Sequence, residues 1–584
     1  MRKHIYFSFT GLCLFSTLFS WAQERENDTL NTNVINVVKP YTPTISDAFK
    51  VKETPVLDDG VTTAKKAVDY TIFSIPVAST FTPAKGKAAV LDKQKAPKLF
   101  DNYANLAFGS YTSVLADLYL NHAISRTENI GGYLQHQSAQ GGINNLLLDD
   151  AFYNTKLQAN YEQINRNLKW DLNLGGLHQV YNWHGMQQPY FNETDAKGVD
   201  AGHTFYGANL GGSVQLEDAY LSKGEAHFQY FGDDYGSAEN HFKAKLISDV
   251  TIKDYDINTQ LTIDYLGGSF DRNYFNSEAI NYGNFNIGLA PSYQLVQEDL
   301  SVNLGVSVVY LNDTEASESN VYIYPNIAAS YRLVDELLLV YGGIEGGLTQ
   351  NTYYSVSQEN PFVSPTLLIL PTNKQYDAYV GLKGKISSNM GYDVKASYRS
   401  EKNKQLFKNN LIPYDFTRTE AYQYGNSYGL VYDKITTLSV GGKLQVDLNQ
   451  DFTLALTANY FIYNTDAEAE AWNLPNMKAS LMLDYQITNK WFAGANLFFE
   501  GERQAVSGFA FANNPANPIF TNNPLPITLD GFLDANAHVG YRVNNRLDVY
   551  AKVNNLANQS YHRWLNYPVQ TFQALVGASY KFDF

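Results

Sequence analysis

The sequence predicts an all-β protein: a transmembrane, antiparallel outer-membrane β-barrel of about 22 strands behind a short irregular N-terminal segment. Three observations carry the prediction. The chain ends in an alternating ribbon that stops on an aromatic residue. It begins with a secretion signal and has no later apolar run of helix length. Its alternating runs are joined by short polar turns and by long loops, sorted in turn.

The ribbon is Thr571 to Phe584. Phe572, Ala574, Val576, Ala578, Tyr580, Phe582 and Phe584 fall on one face; the other carries small or polar residues and Leu575. A soluble sandwich could use such a strand as a half-buried edge, but in a barrel the apolar row meets lipid. An unpaired edge cannot sit in hydrocarbon, so Phe572, Tyr580, Phe582 and Phe584 are read as the signal handed to the barrel-assembly machinery.

At the other end, Arg2 and Lys3 precede the apolar run Ile5 to Phe19, and Ser20-Trp21-Ala22 is a small-x-small cleavage site. Residues 1–22 are therefore expected to leave as a signal peptide, the mature chain beginning at Gln23. The run is shorter than the roughly 20 apolar residues that span a bilayer. Cys13, the only cysteine, lies inside it, which leaves the mature chain without disulfide or thiol chemistry. The net charge of −15 becomes −17 without Arg2 and Lys3, and an acidic chain argues against a nucleic-acid partner. The 44 tyrosines suit a bilayer interface, where an apolar ring and a wet hydroxyl are both satisfied.

Residues 23–100 differ from all that follow. Asn33–Val38 and Asp69–Ile75 are short β-prone runs ended by prolines. Lys85, Lys87, Lys93, Lys95 and Lys98 make a basic stretch. Two readings stand: a solvated leader, or a periplasmic segment that adds strands to a periplasmic or outer-membrane protein partner or folds into the lumen.

From Asp101 to Phe584 strands come in pairs. Tyr153, Thr155, Leu157, Ala159 and Tyr161 alternate with polar residues; Asn165-Arg166-Asn167 turns the chain; Leu168, Trp170, Leu172 and Leu174 then alternate with Lys169, Asp171 and Asn173. Equivalent tight turns are expected at 253–256, 297–299, 334–336, 387–389, 449–451, 488–490 and 543–545. Long connections are expected at 184–202, 269–280, 350–374, 408–425, 505–529 and 557–569. Weaker strands near 102–110, 113–124, 129–140, 204–216 and 224–232 bring the total to 22, an even number that puts both barrel ends on the periplasmic side. Trp170 and Trp491 are expected at the membrane interface. Lys169, Asp171, Lys243, Lys245, Asp484 and Lys552 are expected to line the interior.

The C-terminal third resembles the barrel of TonB-dependent receptors. The resemblance rests on Tyr432-Asp433 with Val440–Leu444 and Phe452–Tyr463, on Leu474–Met477 through Tyr485 with Trp491–Arg503, and on Phe532–Val553 leading through Asn555–Asn558 and Tyr561 to Tyr580-Lys581-Phe582. It covers about 425–584 and implies an integral barrel in the outer membrane of a Gram-negative bacterium. Two departures stand beside it. Val569-Gln570 occupies the place of the family's Gly-Arg pair, and the 78 residues from 23 to 100 are too few for the family's plug. Val34–Val38 is the one stretch comparable with a TonB box.

Catalytic chemistry has no local signature. His178, His184 and His203 flank one long loop at no metal-ligand spacing, and rim histidines ordinarily contact solvent. Asp149-Asp150 and Asp233-Asp234 are read as solvated rather than as calcium ligands. No catalytic, cofactor-binding or metal residue is assigned. The paired glycines 175–176, 267–268, 342–343 and 346–347 sit in strands, where they permit curvature or close approach. Two functions follow: transport of a solute or polymer across the outer membrane, as the resemblance implies, or a plug-less scaffold in an outer-membrane protein complex.

Overall fold

The first and last strands of the barrel are hydrogen-bonded neighbours. In a computed structural model, Asn102–Gly109 runs antiparallel to Gln573–Phe582, with Asn102 opposite Phe582 and Gly109 opposite Leu575. That pairing closes a 22-stranded antiparallel sheet in which each strand has two partners. Closure follows from the solvent: backbone N–H and C=O groups facing hydrocarbon have no water, so an open edge would leave a row of them unsatisfied. The structure describes residues 99–188, 190–217, 220–253, 255–412, 418–449, 451–506 and 526–584. The expected signal peptide, and residues 23–98 of the N-terminal segment, lie outside the described residues.

All eight tight turns expected from the sequence fall between paired strands, and two more lie at 124–127 and 217–220. They share one rim. The other rim carries eleven connections, including the six long ones expected, now bounded at 183–201, 271–279, 350–371, 410–427, 501–531 and 555–572. Loops at 140–151 and 465–476 also belong there. The sorting by length is not complete, because 110–113, 234–237 and 314–317 cross the same outer rim in four residues each. Several strands exceed the roughly 9–11 residues that a bilayer requires; Tyr428–Asn449 has 22 and carries its pairing beyond the hydrocarbon.

Alternation assigns the faces. Gln179 exchanges hydrogen bonds with Gln358 of the connection 350–371, which fixes its side of the strand as lumenal. Asn173 and Asp171 share that parity, and Asn173 donates to Asp171 at 2.7 Å. Trp170, Leu172 and Leu174 point the other way, Leu172 being 47% exposed. Around the tight-turn rim the outward face carries aromatic pairs across adjacent strands: Tyr161 with Trp170 at 5.2 Å, Tyr255 with Tyr293 at 5.3 Å, Phe452 with Tyr485 at 5.8 Å and Trp491 with Tyr541 at 4.9 Å.

Inside, the strand glycines act through close approach. The Tyr341 ring lies where a side chain on Gly381 would stand, and the Tyr379 ring lies against Gly343. The two pairs are reciprocal across the strands Leu338–Thr349 and Thr372–Ser387. Tyr341 then donates to Asp393 at 2.5 Å and Tyr379 to Glu345 at 2.9 Å, so the rings lie along the wall.

Leu172→Arg puts a charge into lipid and is expected to cost about 2–4 kcal/mol near the midplane. Asn173→Arg, one residue along and lumenal, is expected to be tolerated. Urea unfolding of the two variants in lipid vesicles checks this; equal destabilisation would reverse the face assignment.

Candidate functional site

Among the described residues, the largest buried hydrophobic cluster lies at the outer mouth, where the connections fold inward. Phe205, Phe231, Leu266, Phe270 and Tyr282 come from the lumenal faces of neighbouring strands. Against them pack Tyr353, Val356, Val363, Leu367 and Ile369 from the connection 350–371, with Tyr428, Trp564 and Tyr567 beside them. Val363 and Ile369 have no exposed surface.

This connection is built to dock. Asn351 ties its base, donating to the Leu370 carbonyl at 2.7 Å and the Thr372 hydroxyl at 2.9 Å. A seven-residue helix, Tyr353–Glu359, follows, started by a capping box in which Thr352 and Ser355 satisfy each other's N–H. Its first two free N–H groups, on Tyr353 and Tyr354, donate to the Glu239 carboxylate at 2.5 and 3.2 Å. Tyr282 donates to the same carboxylate at 2.8 Å. The Tyr353 hydroxyl donates at 2.6 Å to Asp233, which also holds His203 at 3.1 Å and accepts from the N–H groups of Tyr235 and Ser237.

Glu239 and Asp233 are each 1% exposed. A buried carboxylate is costly unless its oxygens are satisfied, and the incoming connection supplies three of these donors. A hydrogen bond to a charged group contributes about 1.5–3 kcal/mol net, so the pair of acids clamps the connection in place.

Other connections lock onto the first. Asn410 donates to the Ser364 hydroxyl at 3.0 Å, which joins 410–427 to 350–371, and Ser364 N–H donates to the carbonyl of Tyr428, the first residue of the next strand, at 2.9 Å. Phe362 stacks on Tyr567 at 3.6 Å, and Tyr428 donates to the Leu565 carbonyl at 2.9 Å, which joins 555–572. Trp183 donates to the Val363 carbonyl at 3.3 Å and stacks on His203 at 4.4 Å, which joins 183–201. Gln423 donates to the Tyr274 carbonyl at 2.9 Å and Arg272 pairs with Glu420, which joins 271–279. Arg503 is buried, and its guanidinium donates to the carbonyls of Arg563 and His562 at 2.6 and 2.8 Å.

The expectation that rim groups would be solvated fails here. His203 has no exposed surface, His184 is 6% exposed and Asp233 is buried, because inward folding of the connections covers them. Asp149 and Asp234 keep their exposure. Nothing in the local sequence marked Glu239, which reads as one polar residue of an ordinary alternating strand. The His203–Asp233 pair is sealed by Trp183 and Phe205, so no substrate reaches it in this conformation. Among the described residues no group of three acidic, histidine or cysteine side chains is arranged to hold a metal ion.

The sequence-predicted site residues lie elsewhere, on the outward face of the wall. Phe572, Tyr580 and Phe584 are exposed; Phe582 is half-buried and touches Tyr580 at 6.0 Å and Phe584 at 5.6 Å. Trp170 and Trp491 stand beside tight turns on the same outward face.

A closed transmembrane barrel whose outer connections fold inward and pack on one another defines the class of protein. The family model described as TonB dependent receptor-like, beta-barrel matches residues 93–556. The chain belongs to that family, a family of outer-membrane barrels, and the match reaches far upstream of residue 425, where the resemblance legible in the sequence begins. Among solved structures it is similar to the ferripyoverdine receptor of Pseudomonas aeruginosa bound to ferripyoverdine, at 14% identity, 84% of this chain, 73% of that one and a TM-score of 0.60. It is similar also to the ferric-catecholate import receptor Fiu of E. coli K12, at 11% identity, 84% of this chain, 83% of that one and a TM-score of 0.57. A mutant of the ferric enterobactin receptor of P. aeruginosa matches at 12% identity, 83% and 81% coverage, and a TM-score of 0.58. At such identities the likeness is one of fold. No curated protein matches the chain as a relative.

His184 is expected to make the docking of the outer connections depend on pH. Neither of its ring nitrogens meets a hydrogen-bond partner among the described residues, and it sits edge-on to Phe362 at 5.5 Å and Tyr567 at 4.8 Å. Burial pushes its pKa down from 6.5 to about 4, the Asn182 backbone and the Asp149 carboxylate offsetting only part of the effect. With the connections undocked the ring takes a proton near its ordinary 6.5; docked, it does so only near 4. His184 by itself leaves docking unaffected above pH 6.5 and costs it up to about 3 kcal/mol as the pH falls through that window. Single-channel recordings at pH 7.5 and 4.5 are expected to show acid-induced openings in the wild type and few in His184→Phe.

Proposed function

We propose that this protein moves a solute or polymer across the outer membrane through a barrel that its own outer connections hold shut. The observation that carries the reading is the seating of 350–371 inside the ring on Glu239 and Asp233. A barrel of 22 strands is wide enough to leak unless something occupies it. A passage that is closed by separable loops, on a few buried donors and acceptors, can be opened by a ligand that binds the undocked state better. Residues 23–100 are proposed as a periplasmic segment that engages a protein partner. The second reading, a structural subunit of an outer-membrane complex, draws on the same closed mouth but requires no opening.

Conductance in planar bilayers separates the two. Glu239→Ala leaves three donors without their acceptor, and is expected to raise the open time at least tenfold while the protein keeps its heat-modifiable mobility on gels. A silent Glu239→Ala barrel, and a silent barrel after deletion of 350–371, would favour the structural subunit. In the same series, deleting residues 28–95 is expected to abolish the co-purification of a partner from detergent extracts. An unchanged set of co-purifying proteins would remove the role given to that segment.

We also propose Phe572, Tyr580, Phe582 and Phe584 as the assembly row, since the last strand completes the seam. Deleting Phe584, or replacing Phe582 and Phe584 with Ser, is expected to deplete the protein from the outer membrane several-fold. Normal amounts of heat-modifiable protein there would refute this.

A further inference from the structure

At the outer rim one strand end stands without its second neighbour. Glu318–Val334 pairs with Leu300–Asp313 from Glu318 down to Tyr331, but its ladder to Leu338–Thr349 begins only at Asn326, opposite Glu345. From Glu318 to Pro325 the edge on that side meets no strand among the described residues. Pro325 sits where the ladder stops, and a proline has no N–H with which to continue one. Beyond it the two strands part. The Tyr324 ring lies where a side chain on Gly346 would stand, and its hydroxyl donates to Asn373 at 3.0 Å, which closes the base of the gap. One residue further, a side chain on Gly347 would meet nothing within 4 Å.

Other overhanging strand ends are covered by the chain itself. Leu406, Phe407 and Asn409, at the end of Met390–Asn409, are buried. On Tyr428–Asn449 the Asp433 carboxylate takes the N–H groups of Asp466, Ala467 and Glu468 from the connection 465–476. The end at Glu318 has no such cover: Val321 is 63% and Ile323 70% exposed, both on the outward face. Val321 lies opposite Tyr310, ten residues along from Leu300 at the tight-turn rim. A strand crosses the bilayer in about 9–11 residues, so this edge stands at the outer interface and above it, where a second chain can reach it.

Free N–H and C=O groups beside alternating apolar side chains are a template for another strand. Charge narrows the partner. The turn at this end carries Asp313, Glu315 and Glu318, and the chain has no lysine or arginine between Arg272 and Arg332. A strand laid antiparallel to Glu318–Tyr324 ends, at its C-terminal side, beside those carboxylates, where a basic residue is favoured.

From the missing neighbour, the apolar exposure and the acidic turn we infer that Glu318–Tyr324 is a docking edge for an extended segment of a partner protein. The segment adds antiparallel, with apolar residues at alternate positions and basic residues at its C-terminal end. The inference depends on neither transport nor a structural role, because the edge is present in both.

The probes are synthetic heptapeptides of alternating valine and threonine, ending in two lysines, in two glutamates, or in two lysines with a central proline. They are titrated by fluorescence anisotropy into the full-length, detergent-solubilised protein. The lysine peptide is expected to bind more tightly than about 1 mM, and the other two about tenfold more weakly. Glu315→Lys with Glu318→Lys is expected to reverse the preference between the charged ends, a change that misfolding would not produce. Asn320→Cys is expected to form a disulfide with a cysteine at peptide positions of one parity and not of the other, since alternate side chains leave by opposite faces. Equal binding of the three peptides, cross-linking at both parities, or no binding at all overturns the inference. Disulfide-linked dimers of Asn320→Cys formed without peptide would assign the edge to a second copy of the chain and overturn it equally.

Discussion

Everything in this protein follows from the absence of water in the bilayer. A backbone group that cannot reach water must find its partner in the chain, and a sheet achieves this only by closing. The seam between Asn102–Gly109 and Gln573–Phe582 is therefore the contact on which the rest depends. With the seam formed, strand alternation divides every side chain between lipid and lumen. Aromatic pairs settle at the tight-turn rim, and tyrosines inside lie flat over glycines of the next strand.

Closure creates its own difficulty, a wide lumen. At the outer end the chain meets it by folding connections inward and giving them a core of their own. That core differs from the wall in kind. The wall is held by regular backbone ladders, which are hard to open one strand at a time. The mouth is held mainly by side chains: two buried carboxylates, a capped helix and stacked rings such as Phe362 on Tyr567, with one backbone bridge between Val363 and Tyr428. Each part is a separate local contact, unlike the continuous ladders of the wall.

The architecture was legible because period two is a local property of the sequence. Tight turns such as 165–167 and 298–299 announce themselves by polar residues between alternating runs, and the strand total followed from them. The buried state of Asp233, Glu239, His184 and His203 was not legible. Asp233-Asp234 looks like a solvated loop pair, and only Asp234 is one. What buries Asp233 is Tyr353, 120 residues away in the chain. No periodicity reports a partner at that distance.

The sequence by itself determined the barrel, its alternation of faces and the two kinds of rim, because each depends on residues close together in the chain and on the solvent around them. The tertiary structure alone decided that the outer connections fold inward and which carboxylates hold them. Those outcomes depend on which loops meet across the mouth, and the meeting is set by ring closure rather than by any stretch of sequence.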